Sequence, residues 1–194
     1  MTVRVLTADP RGMRTLELLD DFPLADARDA RDHARMIELL ATTTDPFSRE
    51  QFIPGHFTAS AFVVSRTHDR VLLIAHPTLS LWLQPGGHIE PEDVEPVAAA
   101  RREVREETGL DAAMSDALFD LDIHKIPARG SAPPHQHFDL RFLAEVDGLP
   151  QPGSTELVDA RWLTPEAALA LSLDASVHRM VSLWRRRARS GTVD

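Results

Sequence analysis

The stretch Trp82–Leu110, WLQPGGHIEPEDVEPVAAARREVREETGL, decides how the chain is read. Its second half, Val97 to Thr108, carries Ala98, Ala99 and Ala100, holds no Gly or Pro and runs into Gly109, so propensity predicts a helix that stops there. Asp93 or Glu95 opens it, with Pro96 in the first turn. On such a helix Glu103 lies three residues from Glu106 and four from Glu107, which crowds three carboxylates onto neighbouring faces of about one turn. Like charges at that spacing are destabilising.

A solvated surface helix accounts for part of the pattern, because Arg102 can pair with Glu106 across one turn for roughly 0.2–0.5 kcal/mol. The preceding segment argues for more. Pro85, Gly86 and Gly87 come after the apolar run Val71 to Ala75 and lead into His88, Ile89 and Glu90. Paired glycines let the backbone turn sharply and bring its amides and carbonyls close to a ligand. A Gly-rich loop feeding a helix studded with carboxylates suits hard divalent cations, since Mg²⁺ takes oxygen ligands and shares them with substrate phosphates.

These residues resemble a Nudix box, whose pattern is Gly, five residues, Glu, seven residues, then R-E-U-x-E-E-x-G-U with U aliphatic. Arg102-Glu103-Val104-Arg105-Glu106-Glu107-Thr108-Gly109-Leu110 matches the second half at every position. Counted from Gly87, the first acidic position falls on Asp93 rather than a Glu, and eight residues separate it from Arg102. The box is therefore one residue longer than the family pattern. Trp82 ahead of the loop, and Glu156 to Trp162 with the TPEAA that follows, are also similar to the family, so the resemblance spans roughly Phe57 to Leu171.

The resemblance implies an α/β fold, the Nudix α/β/α sandwich with a mixed sheet. It implies a hydrolase that splits a phosphoanhydride bond in a nucleoside diphosphate linked to another moiety, such as a nucleoside triphosphate or ADP-ribose. Mg²⁺, with Mn²⁺ as a substitute, would be held by Glu103, Glu106 and Glu107, with the Gly87 carbonyl as a further ligand. Arg102 would fix one of the helix carboxylates, and Glu106 or Glu103 would act as base. The chain has no Tyr, unlike diadenosine polyphosphate hydrolases, and no SQPWPF-like segment, unlike the NADH-cleaving branch. Pro127 lies near the spacing seen in ADP-ribose hydrolases without settling the substrate. Isopentenyl diphosphate isomerase shares the fold but needs a catalytic Cys, which is missing here. The rival from another class is a non-catalytic nucleotide-sensing module, for which the altered spacing at Asp93 is the support.

Composition narrows the partners. The net charge is −9, and the basic run Arg185 to Arg189 is better explained as a solvated helix face than as a footprint for a nucleic-acid polymer. The absence of Cys excludes disulfides, thiolate zinc sites and cysteine nucleophiles. No apolar run approaches a membrane span and the first residues lack a signal peptide's apolar centre, so a cytoplasmic location is expected.

The chain divides into an N-terminal helical extension, residues 1–55, and a catalytic domain, residues 56–194. Two helices between Arg11 and Thr44 are split near Phe22-Pro23, the second with Ala27, Ala30, Ala34, Ile37 and Leu40 as its apolar stripe against Asp26, Arg28, Asp29, Arg31 and Asp32. This extension covers a sheet face, forms a homodimer contact or walls the active site, and the sequence does not choose. After a connector from Asp45 to His56, strands are predicted at Phe57–Ser65, Arg70–Ala75, Ala117–Ile126, Phe138–Val146 and Leu157–Leu163. Thr164 caps a short helix, and Ala175 to Arg189 forms the last one.

His124, His135 and His137 lie close in sequence, beside Asp139, and His-x-His on a strand puts both rings on one face. Three readings stay open: a histidine metal site, contacts to a nucleotide substrate, or ordinary structural contacts around a Pro-rich loop. In the substrate reading His88, His124, His135 and His137 bind the small-molecule phosphoanhydride, and Arg141 holds a phosphate with its guanidinium fork; its alternative is a surface salt bridge.

Overall fold

A computed structural model describes residues 5–76, 80–151 and 159–190. Its elements run α1 (Pro10–Asp20), α2 (Ala27–Thr42), β1 (Gly55–Val64), β2 (Val71–His76), β3 (Leu81–Leu83), β4 (Gly86–His88), α3 (Pro96–Thr108), β5 (Ala113–Ile126), β6 (His135–Glu145), β7 (Asp159–Leu163), α4 (Pro165–Leu169) and α5 (Ala175–Ser190). The strands form one mixed sheet in the order β3-β2-β1-β6-β5, with β4 also paired to β1 and β7 to β2. Residues 157–158, the start of the predicted strand Leu157–Leu163, and Glu156 of the stretch that resembles the family lie outside the described residues.

By contacts the chain forms two compact units, and strands β1, β4, β5 and β6 and helix α3 contribute to both. The first holds residues 1–59, 87–100 and 116–142. Here α1 is capped by Asp9, whose side chain accepts the Arg11 amide at 2.9 Å. Asp26 caps α2 by accepting the amides of Arg28 and Asp29. His33 Nε2 lies 3.0 Å from the Leu19 carbonyl and links the two helices. Arg35 of α2 donates to Gln136 Oε1 at 2.5 Å and lies over the Phe138 ring.

The buried face of α2 differs from the predicted stripe. Ala27, Ala30 and Ala34 are exposed, while Asp29, Asp32, Met36, Leu39 and Leu40 are buried. The helix turns its acidic residues inward because cations accompany them: Arg28 lies 3.6 Å from Asp32 and also bonds Asp122 of β5, and Arg31 lies 3.1 Å from Asp32. Hydropathy periodicity scores such a paired aspartate as solvent-facing, so it rotated the stripe.

The second unit holds residues 60–86, 101–115 and 143–194. Strand β2 is its centre, antiparallel to β1 (Val63 opposite Leu72), to β3 (Ala75 opposite Trp82) and to β7 (Leu72 opposite Trp162). Ala61, Val63, Leu72, Val104, Ala112, Ala144 and Val146 form one apolar cluster with Leu110, Met114 and Trp162 packed on it. Val104 is therefore the anchor of α3. Burying it fixes the helix rotation, which leaves its neighbours Glu103, Glu106 and Glu107 at the less buried positions.

Helix α3 ends at Gly109, whose φ is +72° and whose amide donates to the Arg105 carbonyl at 2.9 Å. A Cβ at that position would lie 2.7 Å from the Gln151 carbonyl oxygen, so a glycine is required by conformation and by space alike. Thr164 caps α4 as expected, accepting the Ala167 amide. Trp184 of α5 is buried edge-on against Phe62 and His68. Arg185 pairs with Glu166 at 2.9 Å. Among the described residues no helix is long and apolar enough to cross a membrane.

Candidate functional site

The carboxylate helix is built as its sequence implied. Glu95 supplies the carbonyl that accepts the amides of Ala98 and Ala99, so α3 starts at Pro96. One turn further on, a single nitrogen of Arg102, Nη1, donates to Glu103 Oε1 at 2.9 Å and to Glu106 Oε2 at 3.2 Å. The surface pairing and the fixing role weighed for Arg102 are thus the same contact, with one cation held between two carboxylates.

The third carboxylate is held from another direction. Glu107 Oε2 accepts the Gly86 N–H at 3.0 Å. Pro85, just before, accepts the Ala61 amide at 2.9 Å, and Gly86–His88 forms the short strand β4 rather than an irregular loop. Burial pushes the Glu107 carboxyl up, and the charges of Glu103 and Glu106 add to it; the Gly86 bond opposes them, and the outcome is a pKa of about 8. The three carboxylates fall within about one turn of α3, one of them protonated at neutral pH, and oxygen is the donor type that hard divalent cations take. Gly87, the further ligand implied by the family resemblance, is the middle residue of β4.

Ahead of α3, the acidic position of the box bonds within its own turn. Asp93 is buried, its Oδ2 accepts the Glu90 amide at 2.8 Å and its own amide donates back to the Glu90 carbonyl at 3.0 Å. Arg11 also donates to that carbonyl, and Arg49 reaches the Glu90 side chain. Asp93, the acidic position of the box, is thus committed to a closed turn of residues 90–93 ahead of α3.

The histidines come together within the first compact unit. His137 lies 5.3 Å, ring centroid to centroid, from both His135 and His88, and 5.5 Å from His124. The cluster has a further member at the end of the expected connector: His56, on β1, lies 4.8 Å from His137 and about as near to His88 and His135. His56 is 0% exposed. Its Nδ1 meets the Gln51 carbonyl at 3.1 Å, and its buried Nε2 has no hydrogen-bond partner among the described residues. An unpaired buried polar atom costs roughly 1–3 kcal/mol. The available signal was a histidine set between Pro54-Gly55 and a run, Phe57–Val64, in which only Thr58 and Ser60 are polar.

Gly55 makes this placement possible. A Cβ there, at φ +152°, would fall 1.8 Å from the Gln136 carbonyl oxygen, so only a glycine lets β1 begin against the residue between His135 and His137. Burial drives the His137 ring far below the usual imidazole range, and His56, His124, His88 and His135 push the same way. His56 is lowered too, by burial first and against the Gln51 hydrogen bond. Both rings are neutral at pH 7. His88 also borders a cavity of about 260 Å³ lined by Arg11, Phe47, Arg49 and Glu90.

Arg141 is not placed to grip a phosphate. It is 1% exposed, and Asp139 (2.8 Å), Asp122 (3.1 Å) and Asp120 (3.3 Å) surround its guanidinium. Burial alone would lower its pKa, but the three carboxylates raise it further than burial lowers it. Asp122 is also bonded by Arg28 and, at 2.9 Å, by His124 Nδ1, and Thr58 donates to Asp139 at 3.0 Å. The alternation that was expected to aim Arg141 at substrate holds, but that face of β6 is closed by carboxylates.

The NUDIX domain model matches residues 55–184. Over 110 residues, 56% of this chain, the sequence is 31% identical to a Bacillus subtilis (strain 168) protein named "Putative 8-oxo-dGTP diphosphatase", of which it covers 68%. Over 106 residues, 52% of the chain, it is 33% identical to "Putative hydrolase 111R" of Invertebrate iridescent virus 3 and spans 55% of that protein's length. The backbone matches the NUDIX domain of Shewanella oneidensis NrtR, solved in complex with ADP ribose, with a TM-score of 0.53 at 21% identity, over 68% of this chain and 87% of that one. At that identity the likeness is one of fold.

Proposed function

The chain belongs to the Nudix hydrolase family, whose members split derivatives of nucleoside diphosphates, and on that premise we propose that it is a Mg²⁺-dependent diphosphohydrolase using the carboxylates of α3. The observation that carries this reading is the arrangement of Glu103, Glu106 and Glu107, two sharing Arg102 and the third held protonated by burial and crowding. Glu103, Glu106 and Glu107, with the Gly87 carbonyl, would hold the cations, with Mn²⁺ as substitute. Bound there, such ions would supply charge neutralisation at phosphate oxygens and a more acidic water.

The residues' own work follows from their surroundings. Water adds to a phosphoryl phosphorus, the anhydride P–O bond breaks, and the water proton passes to a carboxylate. Glu106 is the base we assign, because its side chain is 53% exposed while Glu103 is nearly enclosed beside Arg102. Arg102 holds both oxygens in place during that transfer and keeps the two charges from driving each other apart. To ligate a cation Glu107 would have to give up its proton, and the Gly86 N–H would steady the charged form.

A non-catalytic sensor would be favoured by the lengthened box, with Asp93 committed to the turn at residues 90–93. The intact carboxylate set favours turnover. The substrate class is a nucleoside diphosphate linked to another moiety, and the Bacillus relative's name puts oxidised and ordinary nucleoside triphosphates first in order of test. Phosphate and nucleotide release from triphosphates, ADP-ribose, nucleotide sugars and dinucleoside polyphosphates, with Mg²⁺, Mn²⁺ or chelator, tests the reading. Metal-dependent cleavage of one class far above the rest is expected. Binding of a nucleotide without turnover in either metal would establish the sensor instead.

A further inference from the structure

We propose that His56, His88 and His137 form a three-imidazole site for a divalent transition ion of the zinc class, distinct in donor chemistry from the carboxylates of α3. One ring nitrogen from each lies within 4.8 Å of the other two. Three different strands bring them together: His56 from β1, His88 from β4 and His137 from β6.

The strongest support is the state of His56. A carbonyl oxygen only accepts, so the nitrogen facing Gln51 must carry the hydrogen, which leaves the lone pair on Nε2. That lone pair is enclosed and has no partner among the described residues. A buried imidazole with its far nitrogen tied to a carbonyl and its near nitrogen unpaired is how a metal-ligating histidine is held.

The spacing and the donor type agree with this. At metal–nitrogen distances of about 2.0–2.1 Å, tetrahedral ligands stand roughly 3.4 Å apart, so these rings need only modest rotation to close on an ion. Imidazole nitrogens select zinc and its first-row neighbours over Mg²⁺, which demands oxygen. Three protein ligands leave a fourth position open to water or an anion. His135 stacks on His56 at 5.2 Å and holds its Nδ1 2.8 Å from the Pro133 carbonyl, which places it as a wall of the site.

The test is binding by the full chain, stripped with chelator and titrated with Co²⁺ in excess Mg²⁺ so that the carboxylate helix is already supplied. One equivalent should produce the intense visible bands of a tetrahedral complex, and Zn²⁺ should displace it. His88→Ala and His137→Ala should each weaken binding at least tenfold, whereas Glu103→Gln should not change it, because even groups that merely support a metal ligand are worth about 10–100-fold. Zinc-edge X-ray absorption on the unaltered protein reads imidazole coordination directly, so the result stands if a histidine variant fails to fold. No one-to-one complex, oxygen-only coordination, or binding lost in Glu103→Gln and kept in the histidine variants would overturn the site. The readout is independent of turnover, so a silent hydrolysis assay leaves it untouched.

Discussion

Gly86 N–H donates to Glu107 Oε2 at 3.0 Å, joining the first glycine of the PGG loop to the last carboxylate of α3. Two parts of the box that are twenty-one residues apart in the chain thus meet through one hydrogen bond. The bond has a partner to offer whether Glu107 is charged or neutral, and so the loop keeps its place as the carboxyl titrates.

Glu107→Gln should lower metal-dependent turnover by about a hundredfold or more, a loss of the size seen when a charge-stabilising group is removed. The fold should be unharmed, since an amide oxygen can still accept from Gly86 and a crowded carboxylate is gone. Steady-state kinetics beside thermal unfolding checks both halves. Retained turnover in that variant would show that the cation is held elsewhere.

The same residue predicts a pH dependence. Its folded pKa of about 8 lies above the ordinary 4.5, so the folded state binds more protons than the unfolded state between those values. Its contribution is fully present below about pH 4.5 and is lost as pH rises through about 8. Urea midpoints of the metal-free protein should fall across that window, less so in Glu107→Gln.

Cation binding at α3 should release a proton near neutral pH, because Glu107 must ionise to become a ligand. Calorimetry in buffers of different ionisation enthalpy would show this as a buffer-dependent heat, and Mg²⁺ affinity should tighten as pH approaches 8. Equal heats in all buffers would place Glu107 outside the ligand set.

Arg141→Leu should destabilise the protein by roughly 3–5 kcal/mol, since removing the cation leaves Asp120, Asp122 and Asp139 buried around an uncharged chain. In the parent protein burial alone would raise the Asp122 carboxyl, but His124, Arg141 and Arg28 together hold it below its ordinary 3.8. Its contribution is therefore present above that value and lost as pH falls through the folded one. Denaturant titrations at pH 7 and in acid should show the gap between parent and variant narrowing on acidification.

Gly55→Ala should cost about 1–3 kcal/mol, because a side chain there meets the Gln136 carbonyl and the φ of +152° suits only glycine. Urea unfolding measures the cost. Loss of the ring contacts of His56, read from histidine proton shifts, should accompany it.

By itself the sequence determined what is local. The alanine run and Gly109 specify α3, and spacings of three and four place Glu103, Glu106 and Glu107 on one turn whatever the rest of the chain does. The caps at Thr164 and the break between α1 and α2 were legible for the same reason: each depends on a few neighbouring residues. Tertiary structure alone decided the rest. Asp29 and Asp32 face inward because Arg28 reaches β5, a contact more than ninety residues away in the chain. Arg141 became a buried counter-ion because three aspartates converge on it. His56 joined the other histidines because Gly55 lets β1 press against β6. Strand alternation says which residues share a face, but what covers that face is fixed by register and packing between distant segments.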